Sequence, residues 1–155
     1  MIYALSLVVV LLDQITKIWI VNTPACQDLV LIPGFFHLTY LKNTGMAWSL
    51  LSGYTQLLSV ISAAAVLFMI WIMEKKKPKP LTKTALALMI GGAFGNMIDR
   101  LMLGYVRDFL DFYIFGYNFP VFNVADMALC IGVGLLILAS FLEDEEKHGK
   151  NELDI

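Results

Sequence analysis

The chain has 155 residues, 59% of them hydrophobic and only 15% charged, where a soluble domain carries roughly 25% charged residues. That balance excludes an ordinary soluble domain and marks an integral membrane protein. A net charge of −2 excludes a basic nucleic-acid binder, and two cysteines and two histidines, all far apart, offer no metal or haem spacing.

Four apolar stretches, each near the ~20 residues needed to cross a bilayer as a helix, are predicted as spans. The first runs from about Ile2 to Val21. No basic residue precedes it, and Asp13, Gln14 and Lys17 interrupt it, so it reads as a retained helix and not a cleaved leader. Asp13 and Lys17 stand four apart in the favourable acid-then-base order for a helical ion pair. An acid two turns inside a span is expected to face the bundle interior.

The connector that follows contains PGFFHLTYLKNTGMAWSLLSG. Phe35 to Leu41 is predicted as a short strand that includes His37. Asn43-Thr44-Gly45 is a turn signal, and Met46 to Leu51, anchored by Trp48, is expected to lie flat at the interface. Most of this connector needs no role beyond that of an amphipathic loop. Asn43 is the exception, a polar side chain placed at the mouth of the bundle.

The second span is expected from about Leu57 to Met73, and the connector Glu74 to Lys83 after it carries five lysines. The positive-inside rule puts that connector and both termini in the cytoplasm. The third span, about Ala85 to Leu103, ends in GGAFGNMIDR. Gly91 and Gly95 form a G-x-x-x-G step suited to close helix packing. Asn96 and Arg100 share one helical face and Asp99 lies one step round, where a different partner is expected. Arg100 suits either snorkelling or a substrate carbonyl or lipid head group.

VRDFLDF follows with Asp108 and Asp111, then FNVADM with Asn123 and Asp126 at the start of the fourth span, about Val124 to Leu142. Asn123 is a natural N-cap, and Asp126 three residues on completes a capping box. Cys130 is expected to pack as a small hydrophobe. The acidic end from 143 to 155 reads as a solvated, partly disordered cytoplasmic tail. The fold expected is an all-α membrane protein: a single four-helix transmembrane domain over 1–142, with a small extracytoplasmic β and amphipathic-helix element in the first connector.

Connectors one and three must share a face, so Asn43, Asn96, Arg100, Asp108, Asp111, Asn123 and Asp126 gather at one end of the bundle. No Ser/His or Cys/His pair is available there, which leaves carboxylates as the acid–base groups. Two carboxylates held close share a proton; the ionised one takes a proton from water and the protonated one polarises a carbonyl or protonates a leaving amine. The helix dipole favours the charged form of Asp126, which makes Asp108 the candidate for the protonated partner.

Taken in order, DQITK, KNTGMAWS, GGAFGNMIDR, VRDF and FNVADM resemble the lipoprotein signal peptidases, the signal peptidase II family, over almost the whole chain. The resemblance implies a metal-free, cofactor-free aspartic endopeptidase of the bacterial inner membrane. Such an enzyme cuts signal peptides from prolipoproteins just before a diacylglyceryl-modified cysteine, near the extracytoplasmic face. It implies Asp108 and Asp126 as the catalytic pair, with Asp111 dropping out. It implies Asn43, Gly45, Gly92, Asn96, Arg100 and Asn123 as substrate-binding or active-site residues, and Asp13 and Lys17 as support. Lipid-modified prolipoproteins and membrane lipids are the implied partners of a monomer. Arg107, Met46 and Met127 depart from the family's usual apolar or small residues; an extended segment would turn Arg107 away from Asp108.

Rival readings are a proton- or ion-coupled transporter, a non-catalytic scaffold and a presenilin-like protease. The first expects acids spread through the bundle's depth, the second tolerates Asp-to-Asn changes, and the third needs a Gly-x-Gly-Asp motif that is missing here.

Overall fold

The computed structural model describes residues 2–45 and 50–153, without the side chains of 144–153. Four helices in it are long and apolar enough to span a membrane: α1 (Ile2–Asn22), α2 (Thr55–Lys76), α3 (Pro80–Leu103) and α4 (Val124–Leu153). α3 is the central helix and contacts the other three.

Each helix ends for a local reason. α1 stops just before Thr23-Pro24, where the residue ahead of a proline is pushed out of helical geometry. Gln27 Nε2 then donates to the last-turn carbonyls of Ile20 and Val21 at 3.1 and 3.0 Å. α2 ends with Lys75 and Lys76 in its last turn, where cations suit the helix dipole, and Lys77 takes a left-handed cap at φ 46°. α3 opens with Pro80 in its first turn and closes on Gly104 at φ 79°, whose N–H donates to Arg100 O. The left-handed cap there costs a residue without Cβ nothing.

The G-x-x-x-G step is a crossing point. A methyl on Gly91 would fall 2.7 Å from Val9 Cβ, and one on Gly95 2.7 Å from Asp13 Oδ2, so both glycines receive α1. Gly92 on the adjoining face receives the Ala125 carbonyl and Leu129 of α4. Small residues at these three positions let α3 sit against two helices at once.

The sheet exceeds the expectation of a β element in the first connector alone. Strands β1 (Asp28–Ile32) and β2 (Phe36–Asn43) come from that connector, β3 (Val106–Ile114) and β4 (Tyr117–Asn118) from the third, in the order β1-β2-β3-β4, all antiparallel. β2 pairs with β3 from Phe36↔Phe112 to Asn43↔Val106, with an irregularity between Leu38 and Leu41. The two connectors therefore make one body at one end of the bundle. Buried Ile20, Leu38 and Phe109, with Leu29, Phe36, Tyr40, Leu110 and Val124 against them, fasten it to α1 and α4. A second core joins Val66, Met69 and Met73 of α2 to Leu86, Ile90 and Ala93 of α3.

One expectation changes, and another is covered only in part. The chain after Leu142 continues as helix to Leu153 instead of becoming a partly disordered tail; its glutamates and lysines are themselves good helix formers. Of the interface-lying segment expected over Met46 to Leu51, residues 46–49, Trp48 included, lie outside the described residues, and Leu50 to Gly53 form a turn.

Candidate active site

A cleft of about 760 Å³ opens between α2, α3, α4, the start of β3 and the segment ahead of α4. Its polar residues are Asn43, Ser62, Asn96, Arg100, Asp108 and Asp126; Ile61, Ala65, Ala93, Val106, Leu129 and Ile131 are among its apolar walls. Asn43, Asn96, Arg100, Asp108 and Asp126, predicted to gather at one end, thus do so, although they come from four elements, β2, α3, β3 and α4. Met127 also lines the cleft. So does Cys130, which is exposed and does not pack as an interior hydrophobe.

The extended backbone of β3 carries Asp108 in, only 1% exposed. Its Oδ2 accepts from Asn43 Nδ2 at 2.9 Å and its Oδ1 from Asn123 Nδ2 at 2.6 Å. Asn43 is held by the turn that follows β2, where the Gly45 N–H donates to Asn43 Oδ1 at 2.9 Å. The capping box forms as expected: Asp126 N–H donates to Asn123 Oδ1 at 3.0 Å, and Asn123 N–H to Asp126 Oδ2 at 3.2 Å. It satisfies two helix-end donors and also fixes Asp126 at the cleft. Asp126 Oδ1 accepts from Asn96 Nδ2 at 2.7 Å. Each oxygen of the two carboxylates thus has an amide donor. Burial first, and then the negative charge of Asp126, push the Asp108 carboxyl up to about 7, against the pull of Asn43 and Asn123.

Lys17 and Asn123 tie the site to its support. Lys17 Nζ, wholly buried, donates to Asn96 Oδ1 at 2.9 Å and pairs with Asp13 at 2.8 Å. Asn123 Nδ2 also reaches Asn96 Oδ1 at 3.1 Å. Arg100 Nη2 donates to the Gly45 carbonyl at 3.0 Å, while its buried Nε has no partner among the described residues. Gly92 supports from behind, at the α3–α4 crossing.

Asp111 stays out of the cleft. It is buried in the sheet, accepts from Thr39 Oγ1 at 2.7 Å, and faces His37 across the strands. Arg107 does turn from Asp108, and it is the different partner expected for Asp99. Gln14, which also bonds Arg107 and Asp99, was missed as a site-supporting residue; its place beside Asp13 in a span was the available signal. Among the described residues, no group of three or more His, Cys, Asp or Glu is placed to hold a metal ion.

Fold and site together define a multi-pass membrane protein with two aspartates, one buried and one partly buried, lining an interhelical cleft. Residues 5–142 match the family model for signal peptidase II. The chain is 44% identical to the lipoprotein signal peptidase of Halalkalibacterium halodurans, covering 97% of each chain. It is 45% identical to that of Ralstonia nicotianae over 86% of this chain and 80% of the relative. Two solved bacterial membrane enzymes superpose with TM-scores of 0.85 and 0.79 at 36% and 38% identity; they cover 93% and 88% of this chain, which covers 89% of each. The chain belongs to the signal peptidase II family.

Proposed function

We propose that this protein is an aspartic endopeptidase. It removes the signal peptide from diacylglyceryl-modified prolipoproteins, cutting just before the lipidated cysteine. The observation that carries the reading is the shared environment of Asp108 and Asp126: both line one cleft, both are held by amides, and Asp108 is pushed up to about 7. A carboxyl near neutrality beside an ionised one has the proton distribution that water activation needs.

The ionised Asp126 takes a proton from a water as its oxygen attacks the scissile carbonyl carbon. Asp108 gives its proton to the carbonyl oxygen, and a neutral gem-diol forms. In the second step one diol hydroxyl returns its proton to Asp108, Asp126 protonates the leaving nitrogen, and the C–N bond breaks. The dyad ends as it began, without a cofactor. Asn43, Asn96 and Asn123 hold the carboxylates in place through both steps, and Arg100 Nε is the donor available to a substrate carbonyl or lipid ester. Signal helix and acyl chains both live in lipid, so a cleft between helices receives them from the side.

Five lysines from Lys75 to Lys83, in and beside the α2–α3 connection, support a cytoplasmic location for that connection and for both termini. The sheet and dyad then lie at the extracytoplasmic face of the inner membrane, where water reaches the bond to be cut. The peptidase unit spans 1–142 and acts as a monomer, and 143–155 is a cytoplasmic extension.

The test is cleavage of a diacylglyceryl-modified prolipoprotein in detergent, read as a gel shift. Asp108→Asn and Asp126→Asn should fold and lose at least about a thousandfold in rate, on the scale of removing an essential acid or base. Asp111→Asn should cut, and excess chelator should change nothing. Folded 108 and 126 variants that still cut would refute the dyad.

A further inference from the structure

Two backbone amides outside the cleft occupy matching places. The Arg107 N–H, one residue before Asp108, donates to Asp99 Oδ2 at 2.9 Å. The Ala125 N–H, one residue before Asp126, donates to Asp13 Oδ1 at 3.0 Å. The two accepting carboxylates are fully buried and share a cation: Lys17 Nζ lies 2.8 Å from Asp13 Oδ2 and 3.5 Å from Asp99 Oδ2. Arg107 closes the assembly. Its Nη2 lies 2.7 Å from Asp99 Oδ1, its Nε 3.1 Å from Asp99 Oδ2, and Nη2 also donates to Gln14 Oε1 at 2.8 Å. Gln14 Nε2 in turn reaches Asp13 Oδ2 and Asp99 Oδ1, each at 3.1 Å.

We infer that Asp99, locked by Arg107 and Lys17, is a positioning residue that sets the separation of Asp108 and Asp126: it holds the backbone beside one as Asp13 holds it beside the other. The inference rests on the reading of Asp108 and Asp126 as the catalytic pair.

Cohesion alone does not call for this arrangement. Apolar residues of similar volume commonly replace a buried ion pair without loss of stability. What they lack is an acceptor that holds a particular N–H in a fixed direction. Both carboxylates supply one, at the residue next to each reactive aspartate, and a single ammonium joins them. The strand's alternation lets Asp99 grip residue 107 from behind while Asp108 projects into the cleft. Lys17 reaches Asp126 by a second route as well, through Asn96. A shared proton is sensitive to the distance between its two carriers, and a misplacement of about 1 Å can cost about a hundredfold in rate.

The experiment uses the full chain in detergent with lipid-modified prolipoprotein, measuring kcat, KM, their pH dependence and thermal unfolding. The double variant Asp99→Leu/Arg107→Met removes one charge of each sign together with the acceptor for the residue-107 N–H, so the interior stays neutral and the variant is expected to fold. Its kcat should fall about 30- to 100-fold with KM within about threefold. Asp108 is faced by Asp126 and Arg100, with Lys17 behind Asn96 and the amides of Asn43 and Asn123. Once the carboxylates drift apart, Asp126 repels the Asp108 charge less, so the alkaline limb of the kcat profile should move to lower pH. Arg107→Lys keeps the charge and loses the fork, and should show a smaller fall, about three- to tenfold. Wild-type kcat and pH limbs in a folded variant overturn the inference. So does a loss of rate that only follows the loss of folded protein with the limbs unmoved. Asp108→Asn belongs in the same series. If it cuts, the dyad reading itself fails; if it is inactive while the clamp variants match wild type, only this inference fails.

Discussion

Four aspartates gather at one bundle mouth, three of them buried and Asp126 partly so, and their neighbours divide them into two pairs. Asp13 and Asp99 are met by Lys17 and Arg107, an ammonium and a forked guanidinium within 2.7–3.5 Å. Asp108 and Asp126 take their hydrogen bonds from Asn43, Asn96 and Asn123 and from a helix-end N–H. A cation beside a carboxylate offsets its charge; an amide orients it without bringing a charge of its own. The same side chain is thus met by cations in one cluster and by amides in the other, where we propose that it reacts.

The comparison breaks hardest at Lys17. Lys17→Met leaves Asp13 without its ammonium and Asp99 with Arg107 alone, and removing one partner of a buried ion pair typically costs about 3–5 kcal/mol. The expected outcome is a large drop in unfolding temperature and yield in detergent, greater than for any single change in the dyad. An unfolding temperature equal to wild type would show that the first cluster is not held by its charges.

Asp108 sharpens the contrast through pH. Its folded value of about 7 lies above the ~3.9 of an unfolded aspartate, so the folded state binds the extra proton between them. Its contribution to stability is therefore fully present below about pH 4 and is lost as pH rises through 7. Asp108→Asn removes that loss. The variant should be more stable than wild type at pH 8, on the order of 2–4 kcal/mol, and close to it at pH 4. Thermal unfolding at the two pH values checks the sign; equal shifts at both would contradict it. The proposed dyad chemistry should decline over the same range as Asp108 deprotonates.

The smallest effect on stability is expected at Asn43. Asn43→Ala removes one donor from Asp108 Oδ2 and should change stability by only about 1 kcal/mol. Cleavage should nonetheless slow about tenfold with KM little changed, because an amide that orients a reactive group acts on rate more than on fold. A stability loss as large as that of Lys17→Met would erase the distinction between the clusters.

Much of this was legible in the chain itself. Spans, the Asp13–Lys17 pair, the capping box and the turn at Asn43 all depend on residues within about four positions of one another, or on a run of apolar residues. The outward turn of Arg107 followed from strand alternation. Harder to read were the partners of Asp99 and Gln14 and the contribution of the third connector to the sheet. Each joins residues far apart in sequence, such as Gln14 with Arg107, and short-range periodicity carries no information about such pairs.

The sequence by itself determined that the chain crosses a membrane, how many times, and which polar residues lie near one end, because hydrocarbon admits only apolar helices and every charge left in a span needs a reason. Only the tertiary structure decided which carboxylates are paired with cations and which with amides. That choice lies in contacts among α1, α3, β3 and α4, and it separates the aspartates that hold this protein together from the two proposed to act.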